Sequence, residues 1–471
     1  MPSSSTSATA TPQTRDDGAI QEFRVAGSVV FATTTILAFS AALVYVTTHS
    51  VILLAGVVVL LVAYLIWRLG LRDSIGVFLL LMTVQYIVIS LLQFYGVQQY
   101  KQISAIKDLI LIFAPVWLLA RSKIRLVGAD ILLLSALLYV LAAQIFVTDF
   151  QGARVDWEWV LPYFLGRLLV VAPSMQAVWA KCAVWTCAVL SILGAWEVFV
   201  LGPQPRTLLV GVTLGENHLD SVFSATGYNG LRAASTTVSP LSFAAICMVG
   251  LILWWVYMKN PVPALIVAAG LVLTLSRSAI LMSIVGLVLV GVRRKEKIRV
   301  IGLVGIVAIA VAIAIPTLDL GSFVRATLTS RGDVSLQGHE ASLAEGFTRM
   351  VDNPLGTGAG TVGPRLVQKS TSALSIESSY LTIAIEYGIL PGLLFAAFIG
   401  ICLWQLYKVR SPIGYAAFAV LLGFAVLLGD SAPNQDLALG TWVWFLVGQG
   451  MTRSAEILPS ERELDVLSGR F

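Results

Sequence analysis

Charge is what this sequence has least of. Only 12% of its 471 residues are Asp, Glu, Lys or Arg, while 57% are hydrophobic and the mean hydropathy is +0.86. Soluble domains carry about 25% charged residues, so a water-soluble globular chain is excluded. Strict apolar–polar alternation is also missing, which removes a transmembrane β-barrel. There are only four cysteines, Cys182, Cys187, Cys247 and Cys402, and all lie in apolar segments. They form no CxxC or Cys/His spacing, so neither a zinc site nor a disulfide framework is indicated. They read as small residues packed between membrane helices. Asp-x-Asp pairs and a phosphate-binding P-loop are absent too, and no metal or cofactor is expected.

What remains is a series of apolar runs of about 17–25 residues, the length that crosses a bilayer as a helix. The reading is all-α: a polytopic integral membrane helix bundle of about 12–14 transmembrane helices with one long helical extracytoplasmic loop. Residues 1–24 read as a disordered cytoplasmic tail, with no signal peptide. Residues 25–317 form the main bundle, with outer loops near 149–159 and 202–238. Residues 318–376 form the large extracytoplasmic loop, 377–452 the C-terminal helices and 453–471 a second cytoplasmic tail. The run 160–172 contains Pro162 and Arg167 and is expected to be tilted or broken.

The net charge of +5 is carried by short loops and points to orientation rather than to nucleic acid. Arg68 and Arg72, then Arg121, Lys123 and Arg125, cluster on alternate turns, which puts the amino terminus in the cytoplasm, and the spans after Lys408 and Arg410 are expected to return the carboxyl terminus there. Residues 262–292 are too long for one span: 31 residues would rise about 46 Å against a core of about 30 Å. A single helix would also put Lys259 and the basic run RRKEKIR on opposite sides. Two short spans folded back near Arg277 resolve both conflicts.

The longest polar interval, residues 318–377, holds one His, five basic and six acidic residues and a Gly-rich turn. His339 opens an expected amphipathic helix with Leu343, Phe347 and Met350 on one face. GAGTVG (358–363) matches GxGxxG in letters, but it follows a helix and opens no βαβ unit. It reads as a turn against a helix end rather than a nucleotide cradle.

Four segments carry a family likeness: RAASTTVSP (232–240), LTLSRSA (273–279), GHEASL with NPLGTGAGTVGP (338–364), and ESSYL with EYG (377–388). In order and spacing they resemble the O-antigen ligase and polysaccharide polymerase family of bacterial membrane glycosyltransferases. The resemblance implies glycosyl transfer at the outer face of the cytoplasmic membrane. The donor would be an undecaprenyl-pyrophosphate-linked oligosaccharide, and the acceptor a sugar hydroxyl. It implies membrane lipid as surroundings, a flippase and a chain-length regulator as pathway partners, and no metal.

Breaking a glycosyl–pyrophosphate bond builds negative charge on the leaving phosphate, which the two-pronged guanidinium of Arg suits. Arg232, Arg277 and Arg349 are the candidate anion-binding residues, with Arg277 also counted as catalytic. Glu377 and His339 are the candidates for handling the acceptor hydroxyl, and Glu377 is expected to matter more for turnover. In the ligase branch a His stands where this chain has Glu377, so the departure leans toward a repeat-unit polymerase. A multi-pass transporter is the reading from another class. It fits less well, because no internal repeat is evident and charges gather at the ends of spans.

Overall fold

The computed structural model describes residues 75–80, 82–84, 111–119, 126–144, 150–169, 171–202, 231–237, 239–296, 299, 301–302, 334–362, 376–430 and 437–456. The chain divides into two compact units, Met1–Phe78 and Leu79–Phe471. Of the first, only residues 75–78 are described, and they are helical. The N-terminal tail, the C-terminal tail beyond residue 456, most of residues 25–125 and the stretches 203–230, 303–333 and 363–375 lie outside the described residues.

In the second unit every described element is a helix. In chain order they are α1 (Gly128–Gln144), α2 (Phe150–Trp157), α3 (Val160–Leu168), α4 (Pro173–Trp196), α5 (Pro240–Tyr257), α6 (Val262–Leu273), α7 (Arg277–Arg293), α8 (Val334–Asp352), α9 (Ser379–Tyr387), α10 (Ile389–Lys408), α11 (Pro412–Asp430) and α12 (Leu437–Glu456). A π-helical stretch, Glu197–Leu201, extends α4. Among the described residues four helices are long and apolar enough to cross a membrane: Pro173–Leu201, Pro240–Tyr257, Ile389–Lys408 and Pro412–Gly429.

Helix starts follow local chemistry. Pro173 and Pro240 occupy first-turn positions, where a missing N–H costs nothing, and the Ser239 hydroxyl caps α5 by accepting from the Ser242 amide at 3.2 Å.

Helix α5 is the axis of the bundle. It packs against α4, α6, α7, α11 and α12, and nearly all its side chains are buried. Lipid gives helices no hydrophobic reason to associate, so contact depends on small residues that let backbones approach. A Cβ on Gly250 would lie 2.8 Å from Cys187 Sγ, and one on Gly423 would lie 2.7 Å from Met248 Sδ. Cys187, Cys247 and Cys402 are fully buried between helices, as expected of packing residues, whereas Cys182 is exposed on α4.

Residues 160–172 are broken rather than merely tilted. Helix α2 stops at Trp157, and α3 is a nine-residue helix pressed against α12. Gly166 and Gly448 make the closeness possible: a Cβ on Gly448 would fall 2.2 Å from the Tyr163 carbonyl oxygen. Arg167 is neutralised by Asp130 of α1 at 2.8 Å, with both side chains all but excluded from solvent. Tyr163 donates to the same carboxylate at 2.7 Å. Removing one partner of such a pair would strand a charge in the interior.

Helices α6 and α7 fold back on themselves as the length argument requires. The turn Thr274–Ser276 separates them, with Leu275 at φ 52°, and each then packs on α5. Arg294, just past α7, donates to the Val256 carbonyl at 2.8 Å, and Arg293 donates to the Tyr407 carbonyl. The C-terminal ends of α5, α7 and α10 therefore share one end of the bundle.

Helix α8 begins at Val334, five residues before the expected opening at His339, and packs by a different face. Leu343 and Phe347 are exposed, while Ser342 and Gly346 are buried against α9 and only Met350 joins a small apolar cluster. Gly346 lets α8 come close enough that a Cβ there would lie 2.9 Å from Leu381 Cδ1. Close approach through small residues outweighs the bulk of the larger apolar ones.

Two outcomes follow from this packing. Gly448→Ala is expected to destabilise the protein by about 1–3 kcal/mol through overpacking against α3. Gly400→Ala, with nothing within 4 Å of the added carbon, should be neutral or slightly stabilising in the same unfolding assay. Separately, in a background lacking the four native cysteines, Arg277→Cys and His339→Cys should react with an impermeant thiol reagent in whole cells. Arg294→Cys and Lys408→Cys should react only after permeabilisation; labelling of position 294 in intact cells would invert the orientation.

Candidate functional site

Opposite the Arg293–Tyr407 end, polar side chains collect in three neighbouring arrangements. The first surrounds the α6–α7 turn. Ala233 donates its amide to the Leu273 carbonyl at 2.9 Å, and Arg232 Nε donates to the Thr274 carbonyl at 2.8 Å. This lays the RAAST segment across the turn and brings Arg232 into the field of Arg277, the first residue of α7. Burial, and then the nearby Arg277, pull the Arg232 guanidinium down to about 10. Two guanidinium groups thus stand together at a helix N-terminus.

The segment is clamped from below by Glu197, which is buried at the end of α4. Its Oε2 accepts from the amides of Ala234 at 3.1 Å and Ser235 at 2.9 Å, and Ser235 takes a left-handed φ of 52°. A non-glycine residue in that region is strained, and the paired acceptor holds it there.

The second arrangement joins α8 to the start of α9. His339 Nδ1 contacts Glu377 Oε2, and the Glu377 amide donates to Ser342 Oγ at 3.1 Å. Both side chains of the pair are partly exposed, so the imidazole and carboxylate remain open to a substrate. The two residues treated as rivals in the sequence are neighbours in space. Helix α11 connects this arrangement to the first. Its Gly423 packs beside Met282 of α7, while the carbonyls of Ala425 and Leu428 accept from Tyr380 and Ser378.

The third arrangement is the Gly-rich turn. It lies against the C-terminal end of α9, and its amides are consumed by that contact. Thr357 donates to the Ile385 carbonyl at 2.8 Å, Gly358 to the Glu386 carbonyl at 2.9 Å, and Val362 to Glu386 Oε1 at 3.0 Å. In return Ile389 donates to the Pro354 carbonyl at 3.0 Å. Gly356, at φ 97°, has no room for a side chain, since a Cβ would lie 2.6 Å from the Glu386 carbonyl oxygen. The GxGxxG letters therefore describe a turn against a helix end.

Arg349 does not join the other candidates. It pairs with Glu345 on its own helix at 2.7 Å. It is also ten residues from His339, about 15 Å along a helix axis. Sequence reasoning passed over Glu197, Glu386 and Asp156, although a lone carboxylate in an apolar run was a usable signal for the first two. Among the described residues no group of three or more His, Cys, Asp or Glu could hold a metal ion.

Residues 262–397 match the family model for O-antigen ligase. The match covers less than a third of the chain, from α6 into α10, and includes Arg277, His339, Glu377 and Glu386 but not Arg232, Glu197 or Asp156. No curated protein matches the chain. The likeness therefore falls on the stretch that contributes most of the polar end of the bundle: this part of the chain is similar to O-antigen ligase.

Proposed function

We propose that the protein is a membrane glycosyltransferase that polymerises lipid-linked repeat units of a cell-surface polysaccharide. The donor is a glycan on undecaprenyl pyrophosphate and the acceptor is a sugar hydroxyl of another lipid-linked unit. The observation that carries this reading is the His339–Glu377 pair at the same end of the bundle as the Arg232–Arg277 pair. One pair suits the proton of an acceptor hydroxyl, and the other suits the charge of a leaving pyrophosphate.

In the proposed step the anomeric carbon–oxygen bond to pyrophosphate breaks, and its electron pair leaves on the phosphate oxygen. Arg277 and Arg232 stabilise that charge. The acceptor oxygen forms the new glycosidic bond and gives its proton to the His339–Glu377 pair. Glu377, against Nδ1, orients the ring and leaves Nε2 as the base. Transfer of finished glycan to a different acceptor, a ligase reaction, is the second reading, and the matched family model favours it.

A deletion strain separates the two. Single repeat units accumulating on the lipid carrier mean polymerase, whereas long chains stranded on the carrier mean ligase. An unchanged profile would remove both.

Transfer from purified lipid-linked units then tests the residues. His339→Gln and Glu377→Gln should each lower turnover at saturating acceptor by about 10²–10⁴-fold. The double variant should lose little more than the worse single, because the two groups act as a unit. Arg277→Lys keeps the charge but loses the fork and should lose most activity while remaining inserted. Near-normal transfer by that variant would leave Arg277 as an interfacial anchor.

A further inference from the structure

The turn 353–362 is held by something the proposed chemistry does not use. Glu386 is 1% exposed, and Asp156 of α2 is 4% exposed. The two carboxyl groups face each other across the α2–α9 contact. Asp156 Oδ2 accepts from the Tyr387 hydroxyl at 2.9 Å, and Glu386 Oε1 accepts from the Val362 amide. Glu386 Oε2 is buried and receives no hydrogen bond. A second negative charge beside Asp156 in the protein interior is costly, and the orphan oxygen is satisfied if Glu386 carries a proton and donates it to its neighbour. Burial, and then Asp156, hold the Glu386 carboxyl well above the ordinary carboxylate range.

The other charged or titratable groups on the packed elements are few. Arg154 is exposed on α2, and Glu158 is buried at the α2–α3 break. Asp352 is exposed at the end of α8, Glu345 and Arg349 pair with each other on α8, Tyr139 lies on α1, and Tyr387 is already bonded to Asp156. The turn itself brings no charged side chain, only backbone groups and polar side chains such as the Thr357 and Thr361 hydroxyls.

We propose that Asp156 and Glu386 hold one proton between them. That proton seats the turn 353–362 against α2 and α9 and so positions α8, which carries His339, and α9, whose start follows Glu377. Both acids are thereby positioning residues, a role that rests on the reading of the His339–Glu377 pair given above. The contact they guard is close: a Cβ on Gly152 of α2 would lie 2.9 Å from the Gly360 nitrogen. The seated turn also completes the apolar cluster of Val362, Ile376, Leu381 and Ile385, against which Met350 of α8 packs. Loss of the proton leaves two negative charges facing each other, and α2 and the turn separate.

The sign follows from linkage. Glu386 binds its proton more tightly when the turn is seated than when it is open. Seating is therefore fully favoured at acid pH. The advantage declines as pH rises above the ordinary carboxylate range, by up to about tenfold per pH unit for one proton.

Hydrogen exchange of the purified, membrane-reconstituted protein between pH 5 and 9 tests this without reference to activity. After correction for intrinsic exchange, protection of amides 357–362 should fall as pH rises, by up to about tenfold per unit. In Glu386→Gln, whose amide donates permanently to Asp156, protection should be high and independent of pH. A Glu386→Gln profile that follows the wild type, or that is unprotected at every pH, overturns the shared proton.

In the transfer assay Glu386→Gln should keep near-normal turnover at neutral pH and flatten the alkaline decline, whereas Glu386→Ala should lose turnover throughout. Exchange that behaves as expected beside an unmoved alkaline limb overturns the positioning role. Absence of transfer in every variant and in the wild type, with exchange as expected, counts against the glycosyltransferase reading and not against the shared proton.

Discussion

Every break in a helix of this bundle frees backbone groups that must find partners without water, and that requirement shapes the rest of the structure. Between α2 and α3 the Trp159 indole donates to the Asp156 carbonyl at 2.7 Å. Below α3 the Gln449 amide serves the carbonyls of Gly166 and Leu169, and Thr452 serves that of Arg167. At the α6–α7 turn, Arg232 and Ala233 supply the donors. At the α9–α10 break, the turn 353–362 supplies both donors and acceptors. Apart from the local Trp159 bond, each interruption thus recruits partners from a distant segment. Among the candidate functional residues, Arg232 is one of those recruits and Arg277 its neighbour.

This ties the stability of the fold to the geometry of its polar end. Arg232 serves the backbone of the turn with Nε, so its position is fixed by the fold even as its charge faces Arg277. Glu197 spends one carboxylate oxygen on two amides and so sets the conformation of the segment that carries Arg232. At the opposite end the same logic holds with cations. Arg293 lies over the rings of Tyr407, Tyr415 and Phe418, and Arg294 caps the carbonyls that end α5.

Much of this was legible in the chain, and the failures have physical causes. The α6–α7 hairpin could be read because 31 residues exceed the bilayer and Lys259 had to share a side with RRKEKIR. That α5 is the axis could not be read, because an apolar run looks the same facing lipid as facing protein. The packed face of α8 was misjudged because large apolar residues were weighted over Ser342 and Gly346, the small residues that let it come close to α9. His339 and Glu377 are 38 positions apart, a separation that conceals contact. The pairing of Asp156 with Glu386 spans 230 positions and left no trace in the sequence beyond an acid in each segment.

Helix α6 has only 12 residues and α7 only 17, rises of about 18 Å and 26 Å against hydrocarbon about 30 Å thick. Both rises fall short of that thickness, so a bilayer crossed by this hairpin would have to thin beside it or tilt its lipids. Such a dimple would bring the interface closer to Arg277, the first residue of α7. An amphiphile with a phosphate at its surface end can reach that depth by lateral diffusion, with its hydrocarbon tail still dissolved in the leaflet.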